Sequence, residues 1–507
     1  MAVVMVVPLA HLGLRAAEGT DPIGQVLSTR VLHLVADTLR LATTVTVLAV
    51  IIGVGLGWLV ERSDLPGRRT LGVAAALPLV VPTYVGALAL LAAVGPRGLA
   101  WEMPGVIGFW GATAALSLST YPYVLLLARA VLRSADPALE EAGRALGDTP
   151  WANFRRVLLP QLRPGIAAGG LLVFLYVLSD FGAVSIMRFD TVTRAIYVEY
   201  RSSFDRARPA LLGLVLVALT LAVVAAELRL RGRAAPAQAV AGLRPAPITS
   251  LGRWRWPAAA AAAGVVLAGI GIPVGVLGYW SIVGSSGADT ASVIARAALT
   301  SAQVSAMAAA LAVAAALPVA VLAVRHRSRL SRAVEVLALS GYALPGLVIA
   351  LAMVFFAARF LPALYQTMAV LVLAYLVRFL PEALGSVRSS LLQVDPALEE
   401  AGRSLGRSRF AVACSVTLPL IRGGVLAGAA LVFLTAMKEL PATLLLLPAG
   451  DDTLAVRVWT SASQGLYAQA APAALVLVAV TGLVLWPLWW LAGRRRLLVG
   501  APEVAVT

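Results

Sequence analysis

Long apolar runs recur along this chain and constrain its fold more than any other feature. Each is about 18 to 25 residues long, the length that a helix needs to cross the hydrocarbon core of a bilayer. Of the 507 residues, 60% are hydrophobic and only 13% are charged, fractions typical of a membrane protein rather than a soluble one. A transmembrane barrel would instead show short alternating segments, which are not found. The sequence therefore predicts an all-α membrane protein.

The apolar runs fall into two series on either side of a stretch rich in Ala, Pro and Arg at 227–256, whose composition predicts a linker. The predicted spans are 39–60, 71–94, 105–131, 165–187, 210–228, 258–282, 297–324, 333–358, 367–387, 423–447 and 472–493. We predict a first half at 1–230, a cytoplasmic linker at 231–257 and a second half at 258–507.

The N-terminal run MAVVMVVPLAHLGL is apolar but only 14 residues long, too short to cross a bilayer. A signal peptide is one interpretation, but no basic segment precedes the run and no small-residue cleavage site follows it before Glu18. VVPLAHLG resembles GIPVGVLG around Pro273, within the first span of the second series. We therefore interpret residues 1–14 as the tail of a first helix whose beginning is missing or very short, which gives about 12 helices in all.

The distribution of arginine predicts the orientation. If the linker and the C-terminus are cytoplasmic, the loops on that side hold about 26 of the 40 arginines, and the opposite loops hold about 12. The positive-inside rule favours this arrangement. The same rule accounts for the net charge of +16. Nucleic-acid binding is the less favoured explanation of this charge, because no basic run is interleaved with the aromatic residues that nucleic-acid binders use. We expect the bilayer, and no nucleic acid, as the partner of these charges.

A charged dodecapeptide occurs twice, as DPALEEAGRALG at 136–147 and DPALEEAGRSLG at 395–406, on the cytoplasmic side in both halves. The Asp-Pro opening predicts an N-cap followed by the first turn of a short helix. Gly147 and Gly406 are placed to end that helix, and Thr149 and Ser408 to cap a second one running toward Pro160 and Pro419. The sequence predicts a helix–turn–helix along the membrane face.

The flanking spans are similar in pattern but poorly matched in letters, so recent duplication is the less favoured explanation for the identity of these loops. Loops between membrane helices tolerate variation unless something binds them. Both copies are therefore expected to dock onto identical partner surfaces.

The repeated segments resemble the EAA loop of ATP-binding-cassette (ABC) importer permeases. The motif positions are Glu141, Ala142, Gly147, Val157, Leu159 and Pro160, and again Glu400, Ala401, Gly406, Val416, Leu418 and Pro419. The third position, commonly Ala in that family, is Gly143 and Gly402 here, a departure expected to loosen the first helix. The resemblance implies two six-helix type I permease halves with EAA loops at 136–160 and 395–419. The coupling residues it implies are Glu140, Glu141, Ala142, Gly143, Gly147, Trp151, Pro160, Glu399, Glu400, Ala401, Gly402, Gly406, Phe410 and Pro419.

The chain has no phosphate-binding loop, because its only lysine, Lys438, is followed by Glu439 rather than by Ser or Thr. Two EAA loops imply two copies of a separate cytoplasmic ATPase subunit that uses ATP and Mg. This chain is therefore expected to be a transport subunit with no catalytic residues and no cofactor of its own. The resemblance also implies a periplasmic or lipid-anchored binding protein and a multi-pass location in a bacterial inner membrane.

Charged residues within predicted spans are expensive and are candidates for function. Asp180 lies beside Gly182, and Lys438 and Glu439 precede Pro441, so both halves carry a carboxylate at the same depth. These five residues are candidates for lining the translocation path. Alternatively, the charged ones form an interhelix pair, such as Asp180 with Lys438. Arg378 and Glu382 have the spacing of a pair on one helix or of interfacial side chains.

SDFGA and KELPATLLL, together with VERSDLPGRR at 60–69, resemble the ferric iron permeases among fused ABC importers. Iron(III) is therefore the expected cargo, with thiamine, polyamine, sulfate and molybdate systems as alternatives. No metal-binding residues are predicted, as expected if a binding protein selects the cargo.

Two other classes of protein are weighed against an importer. A twelve-span secondary transporter has two parallel halves but offers no reason for the matched loops. A membrane enzyme would want convergent carboxylates, His or Cys near the interface. The chain has one cysteine, Cys414, and three scattered histidines, His11, His33 and His326, which make neither a disulfide nor a convincing metal site.

Overall fold

The structure is a computed structural model that describes residues 2–19, 21–96, 98–99, 103–203, 205–231, 248–284, 291–326 and 328–499. Within these ranges every regular element is a helix, so the all-α prediction is confirmed. Most of the predicted linker, residues 232–247, lies outside the described residues.

The first series begins with a 16-residue helix and continues through eleven more. The helices are α1 (Ala2–Ala17), α2 (Pro22–Val26), α3 (Thr29–Arg62), α4 (Arg68–Ala74), α5 (Thr83–Val94), α6 (Phe109–Ser134), α7 (Pro137–Ala145), α8 (Pro150–Asn153), α9 (Leu159–Ser179), α10 (Gly182–Ile186), α11 (Val192–Ser202) and α12 (Ala207–Arg231). A 3₁₀ turn at Leu77–Val80 precedes α5, and a π-turn at Phe154–Leu158 joins α8 to α9.

The second series repeats this order. Its helices are α13 (Arg255–Val266), α14 (Ile272–Val283), α15 (Ala291–Arg325), α16 (Arg329–Leu339), α17 (Gly346–Phe360), α18 (Met368–Leu391), α19 (Pro396–Ser404), α20 (Arg409–Val412), α21 (Leu418–Met437), α22 (Pro441–Leu446), α23 (Leu454–Ser463) and α24 (Tyr467–Val499). A 3₁₀ turn at Ser340–Ala343 precedes α17, and a π-turn at Ala413–Thr417 joins α20 to α21. From α3 and α15 onward, the two series match helix for helix.

Nine helices of the described residues are long and apolar enough to cross a membrane, and the bent pair Arg68–Val80 and Thr83–Val94 makes a tenth. Two shorter apolar helices, α1 and α17, bring the total to the twelve or so that the sequence predicts. The helices extend beyond the predicted spans; α3, for example, begins at Thr29, where Ser28 caps its first turn.

Four predicted spans are broken rather than straight. Pro82 and Pro345 stand immediately before α5 and α17, and the residues that precede them are extended. Proline fixes its own φ, removes a backbone donor and disfavours helix in the preceding residue, so a straight helix cannot pass either position. The spans predicted at 165–187 and 423–447 break after Ser179 and Met437.

Small residues let the membrane helices approach closely. A Cβ atom on Gly53 of α3 would lie 2.8 Å from the backbone nitrogen of Leu125 in α6. A Cβ atom on Gly169 of α9 would lie 2.9 Å from the Cα atom of Val124. In a bilayer the hydrophobic effect does not drive helices together, because lipid is as apolar as the side chains. These glycines permit the close backbone packing that holds the helices together instead.

Two compact units are formed by contacts. One contains Gly19–Gly287 with Ser461–Ala471, and the other contains Met1–Glu18, Ala288–Thr460 and Pro472–Thr507. Helix α1 thus belongs with α15 to α23, where the ring of His11 contacts Phe360 at 5.1 Å. Helices α13 and α14 belong with α3 to α12, where Trp280 Nε1 donates to the Ala92 carbonyl at 3.1 Å. The division into halves at the linker stays a prediction about the repeat.

The end of the linker is fastened to the loop that follows α3. Thr249 pairs with Ser63 in an isolated parallel bridge, and the Thr249 amide donates to the Arg62 carbonyl at 2.8 Å. The Asp64 carboxylate accepts a hydrogen bond from the Leu251 amide at 2.8 Å. These bonds fix the chain before it enters α13.

Candidate functional site

Each repeated dodecapeptide begins a short capped helix, as predicted. The Asp136 carboxylate accepts a hydrogen bond from the Ala138 amide at 2.9 Å, and Asp395 does the same with Ala397 at 2.9 Å. The proline that follows each aspartate occupies the first turn, where no donor is needed. We call residues 136–160 and 395–419 the first and second elbow.

Glycine ends both helices in a left-handed conformation. Gly147 has φ +88° and Gly406 has φ +82°. In the first elbow the Asp148 amide donates to the Gly143 carbonyl at 3.0 Å and the Gly147 amide donates to the Arg144 carbonyl at 2.9 Å, which together make a Schellman motif. The second elbow has the same two bonds. The predicted glycine stops are confirmed.

The second arm of each elbow differs from the prediction. Thr149 and Ser408 cap it, as expected, each accepting a backbone hydrogen bond at 3.2 Å. It runs toward Pro160 or Pro419, as predicted, but it passes through a π-turn directly into the membrane helix, a continuity that the sequence did not predict. The Leu159 amide bonds to the carbonyl five residues back, at Phe154, and this wider turn accommodates the Pro160 ring. Each elbow is therefore continuous with α9 or α21.

The glycine at the third motif position brings the two arms together. Gly143 is buried, and a Cβ atom there would lie 2.9 Å from Asn153 Oδ1. Asn153 Nδ2 donates to the Glu140 carbonyl at 2.8 Å across the turn. In the second elbow a Cβ atom on Gly402 would lie 3.0 Å from Val412. The sequence suggests a looser helix here, but in the structure these glycines permit close packing.

The two glutamates of each motif point in different directions. Glu141 and Glu400 are exposed, whereas Glu140 is buried and Glu399 is half-buried. Glu140 lies 3.0 Å from the guanidinium of Arg62 at the end of α3. Burial raises the pKa of the Glu140 carboxyl above its ordinary value, and the Arg62 guanidinium offsets only part of that rise.

The second elbow has the corresponding ion pair, between Glu399 and Arg325 at 3.1 Å. Sequence reasoning missed both arginines, because an arginine after an apolar run is explained by the positive-inside rule alone. The available signal was that each stands within two residues of the end of the corresponding predicted span of its half, 39–60 or 297–324.

Each elbow carries three large, exposed apolar side chains, which we call its apolar rim. They are Leu139, Leu146 and Trp151 in the first, and Leu398, Leu405 and Phe410 in the second. Leu146 and Leu405 are 88% and 81% exposed, and they occupy the same position in the two copies. Exposed apolar residues clustered on a charged loop are typical of a protein–protein interface.

The predicted carboxylates occupy equivalent helix breaks. Asp180, between α9 and α10, accepts hydrogen bonds from the Ala183 amide at 3.0 Å and from Thr83 Oγ1 at 2.6 Å. Glu439, between α21 and α22, accepts from the Ala442 amide at 3.3 Å. Both carboxylates cap a short helix within their own half, so the shared depth that the sequence predicts is matched by shared local geometry. Gly182 and Pro441 begin those short helices.

The second half adds charges to this arrangement. Arg378 Nε lies 3.3 Å from Glu439, so the ion pair of this guanidinium is with Glu439 rather than with Glu382, its predicted partner. Glu382 accepts a hydrogen bond from Thr435 at 2.9 Å and interacts electrostatically with Lys438. Lys438 and Glu439 therefore face different groups, as the sequence predicts, although the helix that it predicts there ends at Met437.

A single substitution between the repeats makes room for Arg378. Thr83 is the first residue of α5 and reaches Asp180, whereas the first residue of α17 is Gly346. A Cβ atom on Gly346 would lie 1.3 Å from Arg378 Nη1 and 2.9 Å from Glu439 Oε1. The hydroxyl donor of the first half is thus replaced by a guanidinium in the second.

Comparison with known proteins accounts for the repeat. The family described as binding-protein-dependent transport system inner membrane component matches twice, at residues 49–230 and 312–493. Each match contains one elbow and one carboxylate at a helix break.

Individual relatives give the same result. The chain is 36% identical to an Fe(3+)-transport system permease protein of Haemophilus influenzae over 94% of both proteins. It is 33% identical to a probable molybdenum ABC transporter permease protein of Haloferax volcanii, over 37% of this chain and 72% of that protein. It is 29% identical to the sulfate transport system permease protein of Escherichia coli, over 36% of this chain and 70% of that protein. With both halves matched, the chain belongs to the binding-protein-dependent transport system inner membrane components.

Proposed function

We propose that this chain forms the complete transmembrane pathway of an ABC importer and admits iron(III) delivered by an extracytoplasmic binding protein. Two copies of a separate ATPase subunit supply the energy, one at each elbow. The observation that carries this proposal is the pair of elbows with the same capped helix, the same glycine stop and the same exposed apolar rim.

The rim of each elbow suits a cleft on a partner protein. Interface energy is concentrated in a few large side chains that become desolvated, and Trp151 and Phe410 are of the type that dominates such sites. Glu141 and Glu400, on the first arms of the same elbows, are exposed and able to bind a cation on the partner. Two equivalent rims in one chain fit two identical subunits.

The proposed mechanism is alternating access. The loaded binding protein docks on the outer face, ATP closes the two ATPase subunits together, and the elbows move with them. Because each elbow continues directly into α9 or α21, its displacement reaches the helix breaks at Asp180 and Glu439. We place the translocation path along these breaks, where the backbone leaves the helical ladder.

Iron(III) is favoured as the cargo because the Haemophilus influenzae relative, named for Fe(3+) transport, aligns with almost the whole of both halves. The molybdenum and sulfate relatives align with little more than a third of this chain. Thiamine, polyamine, sulfate and molybdate are the competing cargoes.

The test is uptake into proteoliposomes that contain this chain, its ATPase subunit and its binding protein. We expect ATP-dependent uptake of radioactive iron(III) that excess thiamine, sulfate or molybdate does not reduce. Changing Glu141→Ala and Glu400→Ala together should lower retention of the ATPase subunit in a pull-down by about tenfold or more, as expected for loss of central interface contacts.

The matched control changes two exposed acidic residues elsewhere, Asp205→Ala and Asp451→Ala, and should retain the ATPase subunit fully. Uptake that persists without ATP, or full retention by the Glu141/Glu400 variant, would contradict the coupling role of the elbows. Uptake of another cargo in place of iron would reject the iron assignment alone.

A further inference from the structure

The longest helix of each series before the elbows ends at an arginine that grips the elbow. Helix α3 has 34 residues and ends at Arg62, and α15 has 35 residues and ends at Arg325. The two arginines are equivalent in the repeat and bind equivalent glutamates, Glu140 and Glu399. The same contact therefore forms twice, in two halves whose membrane helices differ widely in sequence.

In the first half the contact joins three helices. Arg62 Nη2 lies 3.0 Å from Glu140 in α7 and donates to the Leu132 carbonyl near the end of α6 at 2.8 Å. The Arg62 side chain is 2% exposed and the Glu140 side chain is 8% exposed. On the far side of the same residue, the Glu140 carbonyl accepts the hydrogen bond from Asn153 in the second arm.

The second half reaches the same result with different supporting groups. Arg325 Nη2 lies 3.1 Å from Glu399 and donates to the Val394 carbonyl before α19 at 2.9 Å. Thr417, in the π-turn of the second arm, donates to Glu399 Oε1 at 3.1 Å. In each half the glutamate carboxylate therefore pairs with an arginine of the long helix. The second arm also bonds to this glutamate, at the backbone carbonyl of Glu140 and at the carboxylate of Glu399.

Arg62 and Arg325 are less exposed than the arginines on the elbows themselves. Arg144 and Arg403, in the last turns of α7 and α19, are exposed and serve the helix ends and the surface. A buried arginine is costly unless it is paired, and removing one partner of a buried pair is strongly destabilising locally. The pair recurs at the same place in both halves, buried in the first and partly buried in the second, which indicates a role in joining the elbow to α3 or α15.

We propose that Arg62 and Arg325 are positioning residues that transmit the movement of each elbow to the long membrane helix, alongside the continuous path through α9 or α21. The inference rests on the proposed function, since an ATPase subunit must move the elbow. Each elbow then drives two membrane helices, one by covalent continuity and one by an ion pair. Glu140 and Glu399 act within the chain, and Glu141 and Glu400 act toward the partner.

The first of these connections has an extra attachment. The Arg62 carbonyl accepts the Thr249 amide of the linker end, so the residue that holds the first elbow also holds the entry to α13. Loss of the Arg62 contact is therefore expected to loosen the first elbow without releasing this linker bond, which involves only backbone atoms.

Hydrogen exchange on the full chain tests the positioning role, and each half serves as the control for the other. We expect Arg62→Gln to speed amide exchange in α7 about tenfold or more and to leave α19 unchanged, because opening of one elbow is a local event. Arg325→Gln should give the reverse pattern. Arg133 lies near the end of α6, is more exposed than Arg62 and pairs with Glu61 of α3. Arg133→Gln should change the amide exchange of neither elbow.

Coupling is measured on the complex with the ATPase subunits in proteoliposomes. Arg62→Gln should retain the ATPase subunit within about twofold of the unchanged chain but lower the cargo moved per ATP hydrolysed about tenfold. The exchanged pair, Arg62→Glu with Glu140→Arg, should recover part of that ratio. If Arg62→Gln does not yield a folded chain, the less buried Arg325 is tested with the same readouts.

The outcomes separate the two proposals. An unchanged chain that binds no ATPase subunit rejects the proposed function. The positioning role is overturned if the unchanged chain binds the ATPase subunit and transports, and the Arg62→Gln and Arg325→Gln variants match it in two measurements. These are the amide exchange rate of the elbow and the cargo moved per ATP hydrolysed. A variant that loses the ATPase subunit as completely as the Glu141/Glu400 variant also overturns it, because the arginine would then shape the docking surface.

Discussion

At the scale of single residues, the clearest difference between the halves is how each buried carboxylate is neutralised or solvated. Asp180 receives a hydroxyl and two amides, whereas Glu439 receives a guanidinium and one amide. The identity of one residue, Thr83 or Gly346, determines which donor fits. Two copies of one helix break have in this way acquired different charge.

Gly346→Ala should therefore be severely destabilising. A methyl group there overlaps Arg378 Nη1, so the guanidinium must leave Glu439, and a buried carboxylate loses its partner. We expect a loss of about 3 kcal/mol or more, measured as a lower thermal unfolding temperature in detergent.

The matched control for this change is Gly86→Ala in α5, where the added Cβ atom would lie 3.3 Å from the flexible Ser119 hydroxyl. Equal unfolding temperatures for the two variants would show that Arg378 can move without cost, and the account given for Gly346 would be wrong.

Much of the candidate site could be predicted from local patterns in the sequence. The aspartate caps, the glycine stops and the second caps at Thr149 and Ser408 depend on neighbours within a few residues, and all were predictable. Arg62 and Arg325 were not, because their partners lie far away in the chain and nothing in the local spacing identifies them. The packing role of Gly143 was missed for the same reason.

At the scale of elements, the linker end is held by its backbone bridge and by the Asp64 carboxylate, which accepts hydrogen bonds from the Leu251 amide at 2.8 Å and from the Ser250 hydroxyl at 3.4 Å. Asp64→Ala removes the acceptor of the Leu251 amide but keeps the backbone bridge between Ser63 and Thr249. Such a hydrogen bond contributes about 1.5 to 3 kcal/mol, so local opening should increase about tenfold or more. We expect trypsin to cut after Arg253 correspondingly faster in detergent-solubilised protein.

Asp205→Ala provides the comparison, because Asp205 also accepts a backbone hydrogen bond, from the Ala207 amide at 2.9 Å, at the start of a different helix. It should leave cleavage after Arg253 unchanged. If Asp64→Ala also leaves that cleavage rate unchanged, the backbone bridge alone fastens the linker end.

Helix order and number were predictable, but helix continuity was not. Hydropathy identifies the apolar runs and does not register whether a run bends, so the breaks before α5 and α17 appear as straight spans. Proline was informative only in context. Pro82 and Pro345 precede a new helix, whereas Pro160 and Pro419 follow a π-turn and are passed without a break.

At the scale of the whole molecule, the orientation of the elbows can be read from a natural probe. Cys414 is the only cysteine of the chain, and it lies exposed in the second elbow. If the elbows face the cytoplasm, a membrane-impermeant maleimide should label Cys414 in inside-out vesicles and fail to label it in right-side-out vesicles. Cys414→Ser should abolish the signal in both. Labelling restricted to right-side-out vesicles would reverse the orientation and remove the elbows from the reach of any cytoplasmic ATPase.

The repeat was predictable at this scale from two matched loops, but the grouping of helices was not. Sequence order places α1 with the first half and α13 and α14 with the second, whereas contacts place them the other way round. Hydropathy assigns a helix to the membrane and gives no information on which neighbours it packs against, since lipid and protein interior are similarly apolar.

This exchange has a consequence for the covalent connection between the halves. A break anywhere between residues 231 and 248 would leave an N-terminal fragment whose α1 packs against α16 to α18, and a C-terminal fragment whose α13 and α14 pack against α4 and α5. The two pieces would remain interlocked without a peptide bond between them. A gene divided at this point would thus encode two subunits already shaped to clasp one another.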